Sequence, residues 1–272
     1  MKIVHISDIH TGKSHFLPEL AEKVIKRINE VKPEIVVVTG DLTNEGSYSE
    51  FVRAKSYIER IECEVKVVVP GNHDARNVGD LCFEEIFGAR SKILQHKGVT
   101  VVGVDSTQPD LDEGHVGREK YEWIERCLTT DWTDSFKVVA LHHHLISVPK
   151  TGRERNILTD AGDVLELLLR CGTDLVLCGH KHVPWVWNLN GTAVVNAGTA
   201  CSSKVKWNIP PSFNLIEICE AGEGDEGRRE AGREAGKEAG KEAGREAGKE
   251  EWGMKIFRMY SKGGQELVWE KK

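Results

Sequence analysis

Five short runs rich in valine and isoleucine constrain this chain most: Lys2–Ser7, Glu34–Thr39, Val65–Val69, Lys137–Leu141 and Asp174–Cys178. None alternates apolar with polar residues. A strand with one wet face shows a period of two, so runs without it suit strands covered on both faces. Amphipathic stretches separate them. Leu17–Val31 puts Leu20, Val24, Ile28 and Val31 on one helical face. Glu50–Ile61, Arg118–Leu128 and Asp160–Arg170 read the same way, the last with Asp160 as a candidate N-cap. Strand and helix in alternation predict a parallel sheet covered by helices.

The second half changes character. Trp185–Asn188, Thr192–Asn196, Phe213–Ile218, Lys255–Tyr260 and Glu266–Glu270 are short strand-like runs, and Asn190-Gly191 is a two-residue hairpin signal. Between the third and fourth of these, at about 221–251, stands an Arg/Lys-Glu-Ala-Gly repeat. A glycine at every fourth position costs a helix roughly 1 kcal/mol each time. A period of four also drifts around a helix, so no fixed apolar face forms. The segment reads as a solvated or marginally helical insertion in a C-terminal hairpin loop, with a docking tail as the functional alternative. It holds ten acids, seven bases and eight glycines, so the glycine and charge excess is largely local. The rest of residues 1–272 is expected to form one domain with two sheets.

Several classes are disfavoured. The net charge of -6 argues against a generally cationic nucleic-acid binder. No stretch approaches the roughly 18 apolar residues of a membrane span. Met1-Lys2-Ile3-Val4 runs straight into a strand without a leader pattern, and the seven cysteines are scattered without a Cys-x-x-Cys pair. Reduced thiols and a cytoplasmic location are expected.

Each valine-rich run ends in potential metal ligands. The ends carry Asp8 and His10, then Gly40-Asp41, then Gly71-Asn72-His73-Asp74, then His142-His143-His144, then His180 and His182. Sites in open α/β sheets lie at the carboxyl ends of strands, so all five clusters are expected to converge. In an extended segment residues two apart point the same way, which would let Asp8 with His10, and His180 with His182, grip one ion together. Carboxylate, imidazole and one amide, without thiolate, suit Mn, Fe or Zn. The ligands outnumber the needs of one ion, and two ions sharing a carboxylate fit.

These five ordered blocks resemble the calcineurin-like metallophosphoesterase superfamily, and Asn196-Ala197-Gly198-Thr199 in the C-terminal half is similar to it too. The resemblance implies a four-layer α/β-β/α sandwich of two packed mixed sheets. It implies two divalent metal ions: one held by Asp8, His10, Asp41 and His182, the other by Asp41, Asn72, His142 and His180. His143 is the fallback for His142. It further implies phosphoester hydrolysis by hydroxide shared between the ions, with His73 as general acid and Asp74 as a residue orienting its ring.

Departures narrow the substrate. Protein serine/threonine phosphatases of the superfamily carry Gly-Asp-x-x-Asp-Arg-Gly and Gly-Asn-His-Glu. Here Asn44 and Glu45 stand in place of Asp-Arg, and Asp74 in place of Glu. Leu141-His142-His143-His144 with Gly-Asn-His-Asp looks more like the cyclic-nucleotide phosphodiesterase group. The expected substrate is a cyclic nucleotide or related small phosphodiester; nuclease, phosphomonoesterase and non-catalytic scaffold are the alternatives. His143, Arg153 and Arg155 are candidate substrate contacts. Trp185, Trp187 and Trp207 are either core or a wall for a substrate ring. His5 is expected to be a satisfied core histidine, and His15, His96 and His115 surface groups.

Overall fold

A computed structural model describes residues 1–12, 14–130, 135–151, 155–220 and 252–271. The elements are, in chain order, β1 (Lys2–Ile6), α1 (Pro18–Val31), β2 (Ile35–Thr39), α2 (Tyr48–Glu59), β3 (Val65–Val69), a 3₁₀ turn (Asn72–Ala75), α3 (Gly79–Phe87), β4 (Lys92–His96) and β5 (Val99–Gly103). Then come α4 (Arg118–Thr129), β6 (Phe136–Ala140), α5 (Ala161–Arg170), β7 (Leu175–Cys178), β8 (Trp185–Leu189), β9 (Thr192–Asn196), β10 (Ser212–Glu220), β11 (Trp252–Tyr260) and β12 (Gln265–Lys271).

The strands form two six-stranded mixed sheets, β12-β11-β10-β1-β2-β3 and β4-β5-β6-β7-β9-β8. Parallel pairing joins β1, β2 and β3 in one, and β5, β6, β7 and β9 in the other. The absence of alternation in the valine-rich runs now has its cause. On β1, Ile3 points into the layer between the sheets, against Val101, Val138 and Leu177, while Val4 packs on the helices outside. The outer face of the first sheet is covered by α1, α2 and α3, through Leu20, Val24, Phe51 and Phe83. The outer face of the second is covered by α4 and α5, through Ile124, Leu128, Val164 and Leu168. Every strand residue from Ile35 to Thr39 and from Phe136 to Ala140 is buried. The four-layer α/β-β/α sandwich expected from the sequence is the fold observed.

Three elements escape the sequence reading. Helix α3 is only nine residues long and leaves Leu81 62% exposed, so its periodicity is faint. Strands β4 and β5 form a hairpin whose second strand is buried throughout, as β2 and β6 are. Asp160 does sit at the start of α5 but does not cap it; its carboxylate accepts from the main chain of Val116 and Gly117 and from the Tyr121 hydroxyl. Asn190 and Gly191 turn β8 into β9 with left-handed φ of 51° and 92°, as the hairpin signal predicts. β10 and β11 pair antiparallel up to Glu220 and Trp252; the segment that joins them, 221–251, lies outside the described residues. His5 is a satisfied core residue: Asn214 Nδ2 donates to its Nδ1 at 3.2 Å, and its Nε2 donates to Thr39 Oγ1 at 2.9 Å. Among the described residues no helix is long and apolar enough to cross a membrane.

Candidate metal centre

The five parallel strands β1, β2, β3, β6 and β7 deliver their carboxyl ends to one place. The backbone there is forced. Asp8, His10, Asp41, His180 and His182 all have positive φ, between 51° and 70°. Such conformations cost a non-glycine residue about 1–2 kcal/mol each and gather at functional sites. The paired ligands therefore converge by a left-handed turn at each residue, not along an extended segment as the spacing suggested. Two glycines make room. A Cβ on Gly71 would stand 2.3 Å from the Asp41 nitrogen, and one on Gly179 would stand 2.0 Å from Ser7 Oγ.

Asp8, His10, Asp41 and His182 form a buried group whose donor atoms all lie within 4.8 Å of one another. His10 Nε2 is 3.1 Å from His182 Nε2 and 3.5 Å from Asp41 Oδ2, and His182 Nε2 is 3.1 Å from Asp8 Oδ1. A second group adjoins it. His142 Nε2 lies 3.4 Å from Asp41 Oδ1 and 3.1 Å from Asn72 Oδ1, and His180 Nδ1 lies 3.0 Å from the same Asn72 oxygen. Asp41 thus belongs to both groups, one carboxylate oxygen toward each.

The donor set fits cations because of how its tautomers are fixed. His10, His142 and His182 each turn Nδ1 to a main-chain carbonyl, those of Thr43, Thr39 and Lys204 respectively. A carbonyl only accepts, so Nδ1 carries the proton, and in the neutral ring Nε2 is left as a lone pair. Asn72 donates Nδ2 to Asp112 Oδ1 at 2.9 Å, which turns its oxygen inward. The centre is therefore lined by lone pairs and carboxylate oxygens facing one another. Asp8 Oδ1 is buried, with His182 Nε2 3.1 Å away. Divalent cations are what such an arrangement accepts, and carbonyl partners on ligating histidines are the usual means of aiming them.

Charge states agree. Burial lowers His10 to about 3 and takes His180 well below the ordinary histidine value. Burial opposes ionisation of Asp8 and Asp41, yet surrounding imidazoles, His182 for the first and His142 for the second, hold both carboxyls below their usual value. His182 runs the other way: burial disfavours its proton, but the Asp8 carboxylate raises it above the ordinary value. A cation would compete with that proton.

His73 lies at the rim. Its ring meets His10 edge-on at 4.8 Å, and its main-chain nitrogen donates to Asp41 Oδ1 at 2.9 Å. Its Nδ1 is 2.6 Å from the Asn44 carbonyl. Asp74 does not orient that ring, contrary to expectation. Its buried carboxylate accepts from the nitrogens of Gly71, Leu42 and Thr43 and from Thr43 Oγ1, bracing the loop after β2 against the turn after β3. Burial and the nearby Asp41 charge raise it to about 7.

His143 is corrected too. It is wholly buried, with Nδ1 2.9 Å from Ser106 Oγ and Nε2 3.2 Å from the Asp112 carbonyl, so neither nitrogen faces a substrate. It buttresses His142, 5.2 Å away edge-on. Arg153 lies outside the described residues. Arg155 is exposed, and its described contact is a main-chain one, its carbonyl accepting from Lys181 Nζ. Trp185 and Trp187 pack on each other with ring centroids 5.9 Å apart on β8, and Trp207 is 68% exposed. Sequence reasoning missed Asn44, Asp112, Ser106 and Lys204. Each acts from a loop or through its main chain, where spacing leaves no pattern.

A profile of the calcineurin-like phosphoesterase family matches residues 1–184. The chain belongs to that family. Its members are metal-dependent phosphoester hydrolases with two-metal centres, and the group built around Asp41 is where this chain offers such a centre. Among curated relatives, a Synechococcus protein described as a "probable cyclic nucleotide phosphodiesterase" is 22% identical over 73% of this chain and 77% of its own length. An Arcobacter nitrofigilis protein described as a "probable glycerophosphodiester phosphodiesterase" is 25% identical over 67% and 72%. A dimetal phosphatase from Danio rerio shares the fold, with a TM-score of 0.60 at 12% identity, covering 79% of this chain and 92% of that one.

Proposed function

We propose that the protein is a phosphodiesterase with a dinuclear metal centre, acting on cyclic nucleotides or related small phosphodiesters. The observation that carries this reading is the shared position of Asp41 between two groups of inward-facing lone pairs. Asp8, His10, Asp41 and His182 would hold one divalent ion, and Asp41, Asn72, His142 and His180 the other. Such a pair of ions supplies the charge that activates water and offsets the charge growing on the phosphoryl oxygens during in-line displacement.

The chain's own groups do the rest. The carbonyls of Thr39, Thr43 and Lys204 keep the ligand rings aimed. Asp112 keeps the Asn72 oxygen inward. His73 turns its Nδ1 to the Asn44 carbonyl, so Nε2 is the nitrogen that would hand a proton to the departing oxygen. As the phosphorus–oxygen bond breaks, the electron pair leaves with the departing oxygen, and that oxygen takes the Nε2 proton. The two curated relatives described as diesterases support a diester over a monoester. The net charge of -6 favours a small substrate over nucleic acid. The seven free cysteines suit a reducing, cytoplasmic setting.

The test is turnover by the purified full chain with Mn²⁺ or Zn²⁺ against bis-p-nitrophenyl phosphate, p-nitrophenyl phosphate, cyclic AMP and single-stranded DNA. The diester and cyclic AMP are expected to be hydrolysed faster than the monoester and the DNA. Absence of turnover with every substrate and metal would refute the reading.

A further inference from the structure

Lys204 belongs to the loop between β9 and β10, and that loop is tied down around the centre. Thr199 Oγ1 donates to the Asp8 carbonyl at 2.7 Å, and the Ser203 nitrogen donates to the His15 carbonyl at 2.8 Å. Lys204 then touches two site residues at once. Its carbonyl accepts from His182 Nδ1, and its ammonium nitrogen lies 3.5 Å from His73 Nε2, the outer limit of hydrogen-bond range.

The ammonium is partly buried, and among the described residues no carboxylate pairs with it. Nearby cations are otherwise engaged. Arg76 pairs with Glu45 and Asp112, and Arg53 reaches the Thr11 carbonyl. The Asp41 and Asp8 carboxylates act on this partly desolvated ammonium only from beyond ion-pair distance, whereas phosphate oxygens form strong charge-assisted hydrogen bonds with an ammonium. A single point donor suits a phosphodiester, whose two non-bridging oxygens share one negative charge.

We propose that Lys204 is the phosphate-binding cation of this site: its ammonium takes a non-bridging oxygen of the substrate phosphate, beside the oxygen that His73 protonates. This rests on the phosphodiesterase reading and assigns to Lys204 the contact that the sequence suggested for Arg153 or Arg155. The main-chain carbonyl that holds His182 survives any substitution of the side chain.

The experiment compares wild type, Lys204→Met and Lys204→Arg as full chains loaded with Mn²⁺. Inorganic phosphate binding is measured by calorimetry, metal content by elemental analysis, and kcat/KM with bis-p-nitrophenyl phosphate. In Lys204→Met, phosphate affinity and kcat/KM are expected to fall about tenfold or more, the loss expected for one hydrogen bond to a charged group. Metal content stays at the wild-type value, and Lys204→Arg recovers most of the phosphate affinity. Unchanged phosphate affinity in Lys204→Met overturns the proposal. So does a fall in metal content, because Lys204 would then be supporting His182. If wild type turns nothing over, the phosphodiesterase reading fails, while phosphate calorimetry still decides for or against Lys204.

Discussion

The main-chain carbonyl of Asn44 lies 2.6 Å from Nδ1 of His73. A main-chain group, not a carboxylate, therefore fixes the ring, and Nε2 is the nitrogen free to exchange a proton with a departing oxygen. Loss of a positioned general acid costs typically 10²–10⁴-fold in rate. His73→Ala is expected to lower kcat on bis-p-nitrophenyl phosphate by about 10²-fold or more. Its metal content should match wild type, since the His73 ring is outside both ligand groups. Full activity would remove His73 from the chemistry.

Asp74 acts on stability, because it joins two loops and leaves the His73 ring alone. Asp74→Ala strands three buried main-chain N–H groups. The expected cost is about 2–4 kcal/mol in urea unfolding, given roughly 1–3 kcal/mol for each unsatisfied buried group with partial relaxation. A change below about 0.5 kcal/mol would place the variant with ordinary surface substitutions and contradict the bracing role.

Asp112 is a test of one ion without the other. It turns the Asn72 oxygen inward and is itself 3.2 Å from Arg76 Nη2. Outer partners of metal ligands are worth about 10–100-fold in metal affinity. Asp112→Ala should weaken the ion held with Asn72 by about that factor and leave the ion held with Asp8 and His10 near its wild-type affinity. Titration with Mn²⁺ followed by calorimetry resolves the two steps; equal weakening of both would contradict the assignment.

His5 gives a pH dependence. Burial lowers it to about 3 from an ordinary value of 6.5. Between those values the unfolded chain binds a proton that the folded chain does not. Stability therefore falls as pH drops below about 6.5 and stops falling through this group near 3, with a slope of up to about 1.4 kcal/mol per pH unit. His5→Gln should unfold with a slope about 1 kcal/mol per unit shallower between pH 6 and pH 4, measured in urea at each pH. Parallel slopes would show that His5 does not contribute.

Much of this site is legible in the sequence because strand ends are. A valine-rich run marks a buried strand, and the polar residues immediately after it must sit at the sheet's carboxyl edge. That places Asp8, Asp41, Asn72, His142 and His180 without further information. Contacts that depend on side-chain reach are not legible. His143 and His142 are adjacent in sequence, yet one faces Asn72 and the other turns to Ser106. Asp74 neighbours His73 but bonds elsewhere. Asn44 acts through its carbonyl, which every residue possesses. Lys204 stands far from its partner His73 along the chain and reaches it only because β9 runs parallel to β7. In the fold, β5 shares the composition of the other buried strands but carries no ligand at its end, and α3 is too short for its period to register.

The most direct measurement is metal stoichiometry in wild type and Asp41→Asn, by elemental analysis after loading with Mn²⁺ or Zn²⁺. A carboxylate shared by two ions predicts two ions per wild-type chain and the loss of both in the variant. Two ions retained by Asp41→Asn would contradict the shared centre.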